Sequence, residues 1–243
     1  MEGMRILIAS PLGDVVAEPI RATIESATVV VAHDRDEFVR SVFGRVRFDV
    51  VSADLIFNRP DAEWTFDGLD VLDGLGQADR LAPVLLATQG HSMETDHLEE
   101  ARLRSDVWGV VAKADGFGPL VAALRTIAHG EKLADNTPSP RYPPLYELFT
   151  GRRGITAARM AGAIAAGNAS DNATLASIAK VSPNTANKVT SHYLGPMMHE
   201  RKEHDDRLTL TQASVYRWCG LHARYIVSWC RRHGHEDVLS PQA

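Results

Sequence analysis

Cysteine is scarce: Cys219 and Cys230 are the two in 243 residues, and both fall in one helical-looking stretch. Eleven residues apart, they lie on one side of a straight helix but too far along it to bridge, so they give no disulfide framework and nothing that argues for secretion. Together with His233 and His235 they match no standard zinc spacing. Long apolar runs are lacking too, and the apolar part of the opening MEGMRILIAS is too short for a signal peptide. A cytoplasmic protein with no membrane association is expected. The helical half has no nucleophile paired with a base, no glycine-rich phosphate loop and no recognisable metal spacing, so no catalysis, cofactor or metal is expected. Internal repeats, low-complexity tracts and heptad runs are also missing.

What is present suits a globular protein of one large or two modest domains, with 44% hydrophobic and 23% charged residues. The net charge of −5 is unevenly distributed. Residues 1–148 hold 14 Lys+Arg against 24 Asp+Glu, and residues 149–243 hold 12 against 7, so a half of net −10 precedes a half of net +5. The asymmetry points to a polyanion as partner of the second half alone.

In the first half, apolar runs RILIA, TVVVAH, DVVSADLIF, PVLLAT and WGVVAK are separated mostly by stretches long enough for a crossover helix. That alternation predicts a parallel sheet with helices on both faces. The last helix is the clearest, with Pro119 in its first turn, Leu120, Leu124 and Ile127 on one face, and Gly130 as its stop. Asp54, Thr88 and Lys113 each close an apolar run, which puts an acid, a hydroxyl and a cation in the crevice beyond the strand ends. The first strand runs into Ser10 and Pro11, where a Mg2+ site would want carboxylates.

Residues 135–145, DNTPSPRYPPL, contain four prolines and read as a stiff linker. Beyond it the pattern is helical. Thr156 is expected to cap a helix through Ala166 with Gly167 as its stop, and Asp171 or Asn172 a second through about Lys180. Ser182 and Pro183 open a third, with Ala186, Val189 and Tyr193 on one side and Asn184, Asn187, Lys188 and Ser191 on the other; Gly195 and Pro196 stop it. Two short helices so joined make a helix-turn-helix whose outer face fits a major groove. Residues 209–234 add an amphipathic segment, broken near Gly220, with Val215, Cys219, His222, Ile226, Trp229 and His233 along one seam. It packs on the helical domain or makes a dimer contact.

With DVVSADL, PVLLAT, WGVVAK and the helix GPLVAALRTIAHGE in that order, residues 3–133 resemble the receiver domain of bacterial response regulators. LASIAKVSPNT resembles the turn of LuxR/NarL-type helix-turn-helix domains. The resemblance implies a flavodoxin-like, five-stranded α/β domain over residues 1–134, a linker over 135–148 and an all-α DNA-binding domain with a helical extension over 149–243. It makes Asp54 the phospho-acceptor position, Lys113 the lysine that contacts the phosphate and Thr88 the switch hydroxyl. The chain departs from the family pattern at Ser10 and Pro11, which replace an acidic pair, and at Val110, which replaces a coupling aromatic. Asp14, a few residues on, would have to reach the metal position from elsewhere in the loop.

The expected function is therefore a double-stranded-DNA-binding transcriptional regulator, homodimeric on DNA. Its crevice of Ser10, Asp54, Thr88 and Lys113 answers to a small molecule or a protein rather than to phosphorylation of Asp54. Lys180, Lys188, Arg152, Arg153 and Arg159 are expected on phosphates, and Asn184, Thr185, Asn187 and Ser191 on base edges. The rival is an interaction adaptor that never touches DNA.

Overall fold

The apolar runs of the first half become five short strands: β1 (Arg5–Ala9), β2 (Thr28–Ala32), β3 (Val50–Asp54), β4 (Val84–Thr88) and β5 (Val107–Ala112). All pair in parallel, in the order β2-β1-β3-β4-β5. This is a computed structural model, and it describes residues 3–44, 46–59, 64–134 and 141–240. Continuous Val, Leu and Ile without polar alternation suits strands covered on both faces. β3 and β4 are accordingly buried throughout, while edge strand β5 is half-buried along its length. The register sets Ala9 beside Ala53 and Asp54 beside Ala87, so β1, β3 and β4 end level with one another. Strand order reverses between β1 and β3, which opens a crevice at their carboxyl ends.

Helices α1 (Gly13–Thr23), α2 (Arg35–Val42), α3 (Gly68–Gln77), α4 (Thr95–Ala101) and α5 (Phe117–Ala128) complete this unit. Ile20 of α1 joins Val121, Leu124 and Ile127 of α5 in one core with Ile6 and Ile8 of β1. Each such fully buried side chain stabilises the unit by roughly 1.5–3 kcal/mol. Elsewhere the Phe38, Phe66 and Phe57 rings pack in series at 5.4 and 5.0 Å. Asp34 caps α2, and Asp67 caps α3 in a capping box with Asp70. A side chain at Gly68 would put Cβ 2.8 Å from the Asp54 carbonyl oxygen, so its absence lets α3 start against the end of β3. Pro119 is the third residue of α5, and Gly130 takes φ +87° just past its end.

Backbone contacts divide the chain into residues 1–138 and 139–243. Of the expected linker, residues 135–140 lie outside the described residues. Residues 145–148 correct that expectation: they form a helical turn, α6 (Leu145–Leu148), because Leu145 is fully buried among the helices of the second unit. α7 (Gly151–Ala165) follows, with Ala157, Ala158, Met160, Ala161 and Ile164 buried. It begins six residues before the expected start, with Thr150 in the cap position. Thr156 does not cap it but bonds back to the Arg152 carbonyl, an i to i−4 contact inside the helix. Gly167, at φ +74°, lies just beyond its end as expected.

α8 (Asn172–Ile178) is capped by Asp171, which accepts from Thr174 N at 2.8 Å. Lys180, at φ +54°, makes the tight turn into α9 (Pro183–Asn187), capped by Ser182. The chain then continues through a π-helical turn, Val189–Tyr193, into α10 (Leu194–Glu200). Gly195 and Pro196 therefore do not end the helical run. Pro196 lies in the first turn of α10, and the His192 carbonyl four residues before it accepts from Arg153 instead.

The C-terminal segment forms two helices, α11 (Gln212–Leu221) and α12 (Ala223–Arg232), parted at His222. Val215, Cys219, Ile226 and Trp229 are buried, and both cysteines are free. α12 packs on α7, with the Cys230 thiol donating to the Ala158 carbonyl at 3.5 Å and Trp229 edge-on to Phe149 at 5.1 Å. The stretch between α10 and α11 is held by Glu203, which accepts from Arg201 Nε (2.9 Å) and Nη2 (3.0 Å), Trp218 Nε1 (2.6 Å) and His222 Nε2 (3.1 Å). Arg201, 7% exposed, also donates to the Pro143 carbonyl at 2.9 Å. Burial pushes the Glu203 carboxyl up, but His222 and Arg201 outweigh it and hold the group at about 2.

Candidate functional site

The register that ends β1 and β3 level delivers Ser10 and Asp54 to one point, and β5 delivers Lys113 to the same point. Asp54 is 5% exposed. Its Oδ2 accepts from Ser10 Oγ at 2.7 Å and lies 2.6 Å from Lys113 Nζ. Burial pushes the Asp54 carboxyl above the usual aspartate range, Lys113 and Ser10 pull it back, and nearby Glu94 adds to the push. Glu94 is itself buried, accepting from the backbone N–H groups of Gln89 and His91, each at 3.0 Å.

Thr88 does not join them. Its hydroxyl turns to the Val111 carbonyl at 3.4 Å, and the residue lines a separate cavity on the β5 side with Val110. Side chains alternate along a strand. Ala87, in register with Asp54, lines the crevice, so its neighbour Thr88 faces away.

The resemblance to receivers raises the question of Mg2+. A hard cation of that kind needs several oxygen ligands in near-octahedral array. Around Asp54 stand a serine hydroxyl and an ammonium group, and the ammonium already occupies the carboxylate. Asp14, the other acid of this loop, is 75% exposed at its side chain and bonded to His33 Nε2 at 2.8 Å. The residues present do not fit the ion. What the arrangement does chemically is neutralise a buried carboxylate with an internal cation.

Above this floor opens a cavity of about 280 Å3 with a mostly apolar lining, including Leu12, Val15, Val16, Phe117 and Leu120. None of these five stood among the candidates read from sequence. The signal was there in Leu12 and Val15, large apolar residues within four positions of Pro11 that the structure leaves 62% and 71% exposed.

In the second unit, Asn184, Asn187, Lys188 and Ser191 are exposed along α9 and the π turn, while Ala186 and Val189 are buried beneath them. Asn172 Nδ2 donates to Asn187 Oδ1 at 3.0 Å, tying the start of α8 to the end of α9. Asn172 was considered in sequence only as an alternative cap; Asp171 takes that role and frees it for this bridge. Thr185 is drawn inward, its N–H and hydroxyl both engaged with Ser182. Arg152 is exposed, and Arg153 is exposed but donates from Nε to the His192 carbonyl at 2.8 Å.

Arg159 departs furthest from expectation. It makes a two-pronged pair with Asp237 at 3.0 and 2.8 Å and donates to the Ala179 carbonyl at 3.2 Å. Three of its five donors are thus engaged within the fold. Lys180 also reaches Asp237, at 2.8 Å, although its side chain is 65% exposed. These hydrogen bonds from Arg159 and Lys180 hold the Asp237 carboxyl well below the usual range.

No protein-family model and no curated protein matches the sequence. Solved structures do. The chain is similar to the response regulator RcsB in complex with DNA, at 16% identity and a TM-score of 0.49, over 89% of this chain and 97% of that one. It is also similar to RcsB of Salmonella typhimurium, at 17% and 0.45, over 90% and 98%. A LuxR-family two-component response regulator from Aurantimonas sp. matches at 22% and 0.43, over 55% of this chain and 91% of that one. The fold itself is read from the strand order and register of this chain: a doubly wound, five-stranded parallel sheet with flanking helices, followed by a helical unit.

Proposed function

We propose that the protein is a sequence-specific DNA-binding transcriptional regulator whose first unit is a receiver-type sensor operating without a phosphorylation cycle. The observation that carries this reading is the outward polar face of α9 and the π turn, Asn184, Asn187, Lys188 and Ser191 over buried Ala186 and Val189, reached through the tight turn at Lys180. Two short helices joined in this way present a reading helix to a major groove. The net +5 of residues 149–243 supports the same partner.

On this reading Arg152, Arg153, Lys180 and Lys188 meet phosphates, and Asn184, Asn187 and Ser191 meet base edges. Arg159 and Thr185 serve the fold. A two-bond grip of Asn187 on adenine uses the carbonyl that Asn172 holds, so DNA takes the place of Asn172. The protein acts in the cytoplasm as a homodimer over two half-sites. Among the described residues no helix is long and apolar enough to cross a membrane. The placement of Ser10 and Lys113 against Asp54 supports control without phosphate, and acetyl phosphate with Mg2+ should add no phosphoryl mass to the intact protein.

Genome-wide mapping of bound DNA supplies the operator, and binding isotherms then test the face. Asn187→Ala should lose on the order of 1 to 3 kcal/mol at one base position and relax preference there. Lys188→Ala should weaken binding to every sequence alike and lower the salt slope by about one. If both variants bind as the parent does with the same salt dependence, this face is not the reader, and the interaction-adaptor reading takes its place.

A further inference from the structure

Two observations define what the cavity over Asp54 accepts. The first is its wall. Leu12, Val15 and Val16 on the α1 side and Val111, Phe117 and Leu120 on the α5 side are apolar, and Leu12 and Val15 at the mouth are largely exposed. An occupant with an apolar body would remove both from water. The second is the charge on its floor, which is already balanced. Of the residues that line it, Asp54 and Lys113 carry the charge, and the Asp54 carboxylate is paired with the Lys113 ammonium and accepts from Ser10. A charged head group would enter without a counter-charge, which is costly in a partly buried site. An uncharged acceptor is a better match, because an ammonium has three donors and Asp54 engages one.

We propose that this cavity binds an uncharged, mainly apolar small molecule, about the size of two or three linked rings, with one hydrogen-bonding group directed at Lys113. It gives the sensor of the proposed regulator its ligand class. The regulatory consequence rests on that DNA-binding reading, while occupancy of the cavity does not.

The test is titration of the full-length protein with N-phenyl-1-naphthylamine, an uncharged dye that brightens in apolar surroundings. Saturable, single-site binding is expected. Leu120→Trp, which fills the cavity from α5, and Val15→Glu, which sets a charge at the exposed mouth, should each weaken it by about tenfold or more. Val39→Glu on α2, at an exposed position outside the cavity, should leave it unchanged. The anionic relative 8-anilinonaphthalene-1-sulfonate should bind about tenfold more weakly than the neutral dye.

Absence of saturable binding, or equal affinity in the parent and Val15→Glu, would overturn the site; Val15 is exposed enough for that variant to fold. Equal or tighter binding of the sulfonate would overturn the uncharged class. Duplex titrations of the same proteins separate the two readings. Dye binding without salt-dependent duplex affinity would overturn the DNA-binding reading and leave the cavity assignment in place. The opposite pattern would overturn the cavity assignment alone.

Discussion

At the crevice of the first unit, Asp54 is 5% exposed and both polar neighbours, Ser10 and Lys113, direct their hydrogen bonds onto it. Along α9 of the second, Asn184, Lys188 and Ser191 stand in solvent above an apolar underside. A buried ionic group must be answered inside the fold, whereas an exposed polar group is left for a partner. Formal charge therefore overstates what a surface offers. Arg159 counts toward the basic half, yet it leans on Asp237 in the manner of the crevice, while Lys180 touches the same carboxylate with most of its side chain still in solvent. Lys188, with no such partner among its described contacts, follows the manner of the face.

The comparison sharpens most at Glu203, where the second unit has a clamp of the crevice type. Glu203→Gln leaves Arg201 as a buried cation short of its carboxylate. It should cost on the order of 2 to 3 kcal/mol in urea unfolding, less than the 3 to 5 of a fully buried pair, because the Glu203 side chain is 31% exposed. The Glu203 carboxyl is held below its ordinary 4.5, at about 2. Its contribution is therefore complete above about 4.5 and lost as pH falls toward 2. Unfolding of Glu203→Gln should show a correspondingly smaller loss across that window, and an unchanged acid profile would mean that Glu203 is not the clamp.

Lys113→Met tests the same principle in the first unit. It should lower stability by about 1 to 2 kcal/mol, reduced by the 31% exposure of the Lys113 side chain. Duplex affinity should stay as in the parent. A variant as stable as the parent would mean that the pair does not hold the strand ends.

The smallest effect separates the two kinds of cation within one unit. Arg159→Met should cost about 1 kcal/mol of stability through Asp237 and leave the salt slope of DNA binding unchanged. If Arg159→Met lowers the slope as Lys188→Ala is expected to, the division between inward and outward cations fails.

Sequence carried the sheet because the five strands are short apolar runs bounded by polar residues, and Asp54 and Lys113 sit at the boundaries themselves. Thr88 sits at a boundary too, but the side to which it points depends on strand alternation and register, and a boundary residue does not reveal that. The paired Gly195 and Pro196 read equally well as the end of one helix or the start of the next. In the fold a side chain at Gly195 would put Cβ 1.8 Å from the Thr190 carbonyl oxygen, a close approach that packing of the π turn demands. Arg159 finds Asp237 across 78 residues, a pairing that no local pattern announces. The apolar wall over Asp54 went unread for a related reason: Leu12 just before α1, Val15 on α1, and Phe117 and Leu120 on α5 come from segments more than ninety residues apart in sequence and converge only once the sheet is wound.

The closed pair of Lys113 and Asp54 also bears on time. A phosphoryl group on an aspartate is a covalent record that persists until hydrolysis erases it, so a regulator built on one outlasts its stimulus. On the reading proposed above, a carboxylate held by an internal ammonium keeps no such record. A sensor built on reversible occupancy above it reports the present concentration of its ligand, forgets within one dissociation time, and needs no second enzyme to reset it.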